Sequence, residues 1–248
     1  MRPRRRIRGV LLDKDGTLID CDATWAPVIR HLAVELSPSG DPEDLVEAAG
    51  LDRETGRLRA GSIWAAGSTR DLVRLWWPSA DAEEARELAT RIDAICAVKG
   101  PENVVPLLDL HGLIRDLRAR GLEVGIATND STVALAAFID KLGLTGRIDH
   151  LIGYDSVARP KPEADMVHAF CDAAGLHPGE VAVVGDNTHD LDMARAAGAG
   201  WAVGVLTGTS DRAHLEPHAD VILEGVSELV AWLEQTNGRP ASSTAAKE

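Results

Sequence analysis

The run Ile7-Arg8-Gly9-Val10-Leu11-Leu12 is followed directly by Asp13-Lys14-Asp15-Gly16-Thr17. A short apolar run of this kind reads as a buried strand, here running out into a loop that carries two carboxylates. Alternate residues of an extended chain point the same way, so Asp13 and Asp15 can face one site. Gly16 lets the chain turn away sharply. Two like charges this close repel. A bound cation, or two carboxylates with different tasks, gives that repulsion a reason. A plain strand-end turn with exposed acids is the other reading, because Asp and Gly are common in turns.

Working outward, short apolar runs recur with helical stretches between them. The expected strands are Ile7–Leu12, Glu123–Ala127, His150–Gly153, Val181–Gly185, Trp201–Val205 and Asp220–Leu223. The expected helices are Leu107–Arg120, Thr132–Leu142, Glu163–Ala174, Asp190–Ala197 and Val226–Glu234. Strands alternating with helices imply βαβ units, hence an α/β fold with a mainly parallel sheet and helices on both faces. In such sheets ligands bind at the carboxyl ends of the strands.

The stretch from Cys21 to Val98 breaks the alternation. It holds no convincing strand and reads as amphipathic helices over Trp25–Leu36, Asp41–Ala49, Asp71–Leu75 and Ala82–Val98. That is too long for a simple connection. We expect a core of residues 1–20 and 99–235, a helical insertion of residues 21–98 over the end of the first strand, and a disordered tail over 236–248. A cover placed there would exclude water and select substrates.

The chain has 248 residues, of which 45% are hydrophobic, enough for a sizeable core, and a formal net charge of -13. Such an acidic balance argues against nucleic-acid binding and against anionic membranes. It leaves open a small phosphorylated partner held at a locally positive or metal-loaded site. Cys21, Cys96 and Cys171 form neither a disulfide framework nor a zinc motif, which suits a reducing, cytoplasmic setting. The arginines between Met1 and Arg8 read as a solvated end, and no stretch is long enough to span a membrane. Monomer and homodimer both remain open.

Three more polar groups fall at predicted strand ends. Ala127-Thr128-Asn129-Asp130 places a hydroxyl and backbone N–H groups at a helix start, where an anion can be held; capping by Asp130 or Ser131 is the alternative. Arg159-Pro160-Lys161-Pro162 fixes one lysine on a stiff loop. Gly185-Asp186-Asn187-Thr188-His189-Asp190 again puts acids at a strand's end, and Mg²⁺ needs only one or two carboxylates besides water and substrate oxygens. A hard-cation site has no need of His189.

Taken in order, these four motifs resemble the haloacid dehalogenase-like hydrolase superfamily, whose pattern is DxDGT, a strand-end Thr or Ser, a Lys, then GDxxxD. The resemblance runs from about residue 7 to about residue 235, and the helical insertion resembles the superfamily's C1 cap. It implies a Rossmann-like sheet in which Asp13 and Asp186 meet across the topological switch point. It also implies Mg²⁺-dependent phosphoryl transfer. Asp13 would be the nucleophile and Asp15 the general acid and then base. Asp13, Asp186 and the Asp15 carbonyl would bind the metal, and Asp190 would orient metal-bound water or hold Lys161. Thr128, the Asn129 N–H and Lys161 would stabilise the phosphoryl oxygens.

Within the superfamily, Asp15 speaks against dehalogenases, and the absence of lysine between Cys21 and Val98 speaks against phosphonate hydrolases. Sugar-phosphate mutases share the whole core, and a scaffold that binds a phosphometabolite without turnover is a further class. The overall look is closest to phosphoglycolate phosphatases. Lys14 stands where many relatives carry Phe, and is expected to be exposed. Arg57 and Arg59, in the segment Arg57–Trp64, are candidates to line the substrate pocket and meet a carboxylate, since arginine suits that bidentate contact; a solvated loop with Trp64 packing inward is the alternative reading.

Overall fold

The computed structural model describes residues 5–37 and 41–238. Within them, β1 (Gly9–Leu12), β2 (Glu123–Ala127), β3 (His150–Ile152), β4 (Val181–Gly185), β5 (Trp201–Val205) and β6 (Val221–Leu223) match the expected strands. They form a 6-stranded sheet in the order β3-β2-β1-β4-β5-β6. Every neighbouring pair is parallel. Leu12 of β1 is in register with Ile126 of β2 on one side and Val184 of β4 on the other. The strand order reverses at β1, and the crevice at the carboxyl ends of β1 and β4 is where such sheets bind ligands.

After β1 the chain enters a helical region: α1 (Cys21–Leu36), α2 (Pro42–Ala49), α3 (Ile63–Ala66), α4 (Thr69–Trp76) and α5 (Ala82–Glu102). The Asp20 carboxylate caps α1 by accepting from Ala23 N at 3.0 Å, so this helix starts earlier than its apolar pattern suggested. Within the described residues of this region the only β pairing is an isolated bridge between Leu51 and Leu58. Helix α5 runs on through Gly100 and Pro101, past the boundary expected at residue 98.

The later helices are α6 (Leu110–Ala119), α7 (Thr132–Lys141), α8 (Asp165–Ala174), α9 (Thr188–Ala196), α10 (Arg212–Leu215) and α11 (Leu229–Gly238). Alternation along the buried strands divides the core in two, as the two faces of a pleated sheet require. Val10, Leu12, Ala182 and Val184 join one hydrophobic cluster with α6, α7 and α11. Leu11, Val181 and Val183 join another with α8 and α9. The first cluster continues without a break into α1 and the rest of the helical region, including Trp25, Leu32 and Trp76.

Two expectations need correction. Thr236–Gly238, assigned to a disordered tail, are the last residues of α11. The Asn237 side chain exchanges two hydrogen bonds with the backbone of Ile7, at 2.9 and 3.1 Å, and ties this end to the start of β1. Residues 239–248 and 1–4 lie outside the described residues. Lys14, expected at the surface, is 2% exposed. Its ammonium sits 4.0 Å from the centre of the Phe138 ring and bridges Asp15 and Asp130 at 2.6 and 3.0 Å. A lysine enters the interior when acids there take up its charge.

Candidate active site

Two acids of the site are aimed by strand ends and a third by the start of a helix. Asp13 extends the β1–β4 ladder, its N–H donating to the Val184 carbonyl at 2.8 Å. Asp186 follows β4 directly, and Asp190 stands in the first turn of α9, where its carboxylate accepts from Asn187 N at 3.1 Å. The Asp13, Asp186 and Asp190 side chains are buried and offer oxygens that all lie within 4.8 Å of one another. Lys161 reaches in from the Pro160–Pro162 loop. Its ammonium is 2.6 Å from Asp13 Oδ1 and 2.6 Å from Asp190 Oδ1. Asp190 therefore holds Lys161, one of its two expected tasks.

Burial pushes Asp13 up to about 7, against the opposing pull of Lys161 and with help from Asp190 and Asp15. Burial also raises Asp186 well above the usual carboxylate range, reinforced by Asp13 and Asp190. For Lys161, burial works against the charge, but Asp13 and Asp190 outweigh it and hold the ammonium above the ordinary lysine range. Three carboxylates face one ammonium, so a fully ionised cluster carries two uncompensated negative charges. The donors are all carboxylate oxygens, with no thiolate or imidazole among them, which fits a hard divalent cation.

Asp15 lies beside this group. Both Lys14 Nζ and Trp25 Nε1 donate to its Oδ1, at 2.6 and 2.5 Å, which leaves Oδ2 free to meet a ligand. Thr128, at the end of β2, is 2% exposed. Asp13, Asp15, Thr128, Asn129, Lys161, Asp186 and Asp190 all border one cavity of about 40 Å³, whose far wall is Trp64–Gly67 of the helical region. Asn187 borders it too, and Asn129 Oδ1 and Asn187 Nδ2 are both buried without a hydrogen-bond partner in the protein. Such orphaned groups await a ligand or water.

The wall is held from the core side. The Ala66 carbonyl accepts from Asn129 Nδ2 at 2.8 Å and faces His189 Nδ1 at 3.0 Å. His189 thus engages the cover rather than the acids. Arg57 and Arg59 are not brought to the cavity. Arg57 Nε donates to Asp22 Oδ2 at 3.1 Å, and Arg59 donates to the Glu47 carbonyl. Both sit on an exposed turn, where nearby acceptors take up their charge.

One loop escaped the sequence reading. After β5, Thr207 Oγ1 donates to the Gly16 carbonyl at 2.6 Å, and Thr209 N donates to Asp186 Oδ2 at 2.9 Å. Gly208 between them lies so close that a Cβ there would stand 1.9 Å from Asp186 Oδ2. The available signal was Thr207-Gly208-Thr209 directly after an apolar run, the same strand-end position as the other motifs.

The three cysteines are free and buried, and burial pushes the Cys21 and Cys96 thiols well up, which makes them poor nucleophiles. Among the described residues no helix is long and apolar enough to cross a membrane.

The chain is similar along most of its length to proteins named as phosphatases. It is 27% identical over 236 residues to a phosphoglycolate phosphatase of Shigella boydii serotype 4, covering 92% of each chain. It is 28% identical over 237 residues to an N-acetylmuramic acid 6-phosphate phosphatase of Pseudomonas aeruginosa, covering 94% of this chain and 97% of that one. In fold it resembles the crystal structure of a β-phosphoglucomutase of Clostridium difficile, with a TM-score of 0.69 at 15% identity, over 94% of this chain and 97% of the other. A family model described as haloacid dehalogenase-like hydrolase matches residues 7–198. With the parallel sheet and the acids gathered at its switch point, this match makes the chain a member of the haloacid dehalogenase-like hydrolase family, and an enzyme.

Proposed function

We propose that the enzyme is a Mg²⁺-dependent phosphatase of small phosphomonoesters, with phosphoglycolate the first specific candidate, working through an aspartyl-phosphate on Asp13. The observation that carries this reading is the gathering of Asp13, Asp186 and Asp190 around Lys161, all buried and drawn from distant parts of the chain. The Asp13 carboxylate attacks phosphorus, and the bond from phosphorus to the substrate's alcohol oxygen breaks. A carboxylate nucleophile splits one hard displacement into two easier ones. Asp15, through its free Oδ2, gives a proton to the departing alcohol and then takes one from the water that cleaves the acyl-phosphate. Thr128, the Asn129 N–H and Lys161 hold the phosphoryl oxygens as charge shifts among them.

Asp13, Asp186 and the Asp15 carbonyl would hold Mg²⁺, with Asp190 close by. When bound, the ion supplies positive charge that neutralises the phosphoryl group and the excess of carboxylates. Trp64–Gly67, reaching over the cavity from the 21–98 cap, keep bulk water from the reacting atoms. The buried free thiols support a reducing, cytoplasmic setting.

The test is release of inorganic phosphate from p-nitrophenyl phosphate and phosphoglycolate, with and without Mg²⁺, by the wild-type enzyme and Asp13→Asn. Mg²⁺-dependent release that falls by about 1,000-fold or more in the variant is expected, as for removal of a nucleophile. A fully active Asp13→Asn, or no release from any ester, overturns the reading.

A further inference from the structure

A second, larger cavity of about 490 Å³ adjoins the first and shares Ala66, Gly67, Lys161 and His189 with it. A phosphoryl group at Lys161 would therefore leave its alcohol portion projecting into this space, which is within the range of small-molecule sites. Arg70, Arg74 and Arg159 stand around it. Two of these are already paired: Arg74 with Asp71 at 3.0 Å, and Arg159 with Asp165 at 2.7 Å. Among the described residues, Arg70 has no carboxylate within ion-pair distance. Its guanidinium instead stacks 5.0 Å from the centre of the Tyr154 ring.

Stacking of this kind occupies the face of a guanidinium and leaves its edge donors available. Tyr154 is itself fixed, because its hydroxyl donates to Asp93 Oδ2 at 2.8 Å, and Asp93 Oδ1 accepts from Thr69 Oγ1 at 2.6 Å. Arg70 is placed in the first turn of α4 by a capping box. Ser68 N and Ser68 Oγ both donate to Asp71 Oδ2, at 2.9 and 2.7 Å. Arg70 lines the same cavity as Lys161 and also the neighbouring one beside Tyr154 and Asp93, and an arginine with no ion-pair partner is suited to bidentate contact with a second anionic group.

Resting on the phosphatase reading, we propose that Arg70 reads a carboxylate on the alcohol portion of the substrate, so that the enzyme prefers phosphomonoesters of hydroxy acids over those of neutral alcohols. Arg70 thereby takes the role that the sequence suggested for Arg57 and Arg59. The preference is one of charge, since the cavity admits acids larger than glycolate.

The experiment compares kcat/KM for two matched pairs, phosphoglycolate with 2-hydroxyethyl phosphate and 6-phosphogluconate with sorbitol 6-phosphate. Each pair differs in the carboxylate and little in size. The enzymes are wild type, Arg70→Ala, Arg70→Lys and Arg74→Ala. We expect the wild type to favour the acid of each pair, and Arg70→Ala to cut that ratio by about tenfold or more, the scale of a charge-assisted hydrogen bond. Arg70→Lys recovers part of the ratio, and Arg74→Ala keeps it. A ratio near one in the wild type, or one unmoved by Arg70→Ala, overturns the inference while the phosphatase reading stands. Equal losses on acid and neutral ester would mean that Arg70 is structural only, and overturn it too. Absence of turnover of every ester by the wild type overturns the phosphatase reading, and this inference with it.

Discussion

Lys14 and Asp130 form an ion pair of 3.0 Å beneath the active site, joining the loop after β1 to the loop after β2. Burial opposes the charge on Lys14, but Asp130 and Asp15 prevail and hold the ammonium above the ordinary lysine range. Burial raises Asp130 to about 6 even so, with Lys14 opposing. Breaking a buried pair by removing one partner strands the other charge. Lys14→Met is therefore expected to cost about 3–5 kcal/mol of stability, measured by urea unfolding. Asp130→Asn added to that variant should restore part of the loss. A double variant as unstable as the sum of the singles would mean that the pair is not coupled.

The acid cluster makes an opposite forecast for Asp186. Without a cation, Asp186 adds a buried like charge to Asp13 and Asp190, so Asp186→Asn should stabilise the metal-free protein. A gain of about 1 kcal/mol would raise the melting temperature by about 2–4 °C for a chain of this size. Saturating Mg²⁺ at about 100 times Kd should stabilise the wild type by about 2.7 kcal/mol and do far less for the variant. Calorimetry with and without the ion decides this, and an identical Mg²⁺ response in both proteins would count against Asp186 as a ligand.

Gly208 is required by clearance rather than by its backbone torsions. Gly208→Ala would drive a methyl group into Asp186 Oδ2 and turn that carboxylate away. Changes that disturb the support of a metal ligand typically weaken binding by about 10–100-fold. The Mg²⁺ concentration for half-maximal activity should rise accordingly, while the circular dichroism spectrum stays native. An unchanged requirement would show that Asp186 tolerates the displacement.

The double hold on the Ala66 carbonyl predicts how the cover moves. Each hydrogen bond contributes about 1 kcal/mol, so Asn129→Ala or His189→Ala should speed hydrogen exchange at the Ala66 and Gly67 amides by about fivefold. His189→Asn, which can present a donor from a similar position, should recover much of the protection. Exchange unaltered in all three variants would mean that α3 is fixed by its apolar packing alone.

The pattern of Val10, Leu11 and Leu12 made the sheet readable, because burial on both faces leaves a continuous apolar run. Asp13 and Asp186 were readable because each follows such a run directly. Helix starts were less so. Asp109 and Asn187 cap α6 and α9, accepting from Gly112 N at 3.0 Å and His189 N at 3.2 Å, and caps move a start that periodicity alone cannot place. Lys14 was misread because a lone lysine signals solvent, and its partner Asp130 is far away in sequence. Between the two readings of Arg57 only the folded chain decides, because it shows that Asp22 takes up the charge. Nor does any local pattern mark Arg70, which the fold sets against the Tyr154 ring.

Trp25 of α1 meets Trp64 of α3 and Phe138 of α7, with ring centres 5.6 and 5.5 Å apart. Its indole N–H also grips Asp15. One side chain thus serves the helical region, the sheet layer and the reacting acid together. A graft that swapped residues 21–98 for a relative's counterpart would remove this shared keystone along with the substrate-selecting surface. Transplanted specificity in this scaffold will therefore need a recipient redesigned around Phe138, not a simple exchange of parts.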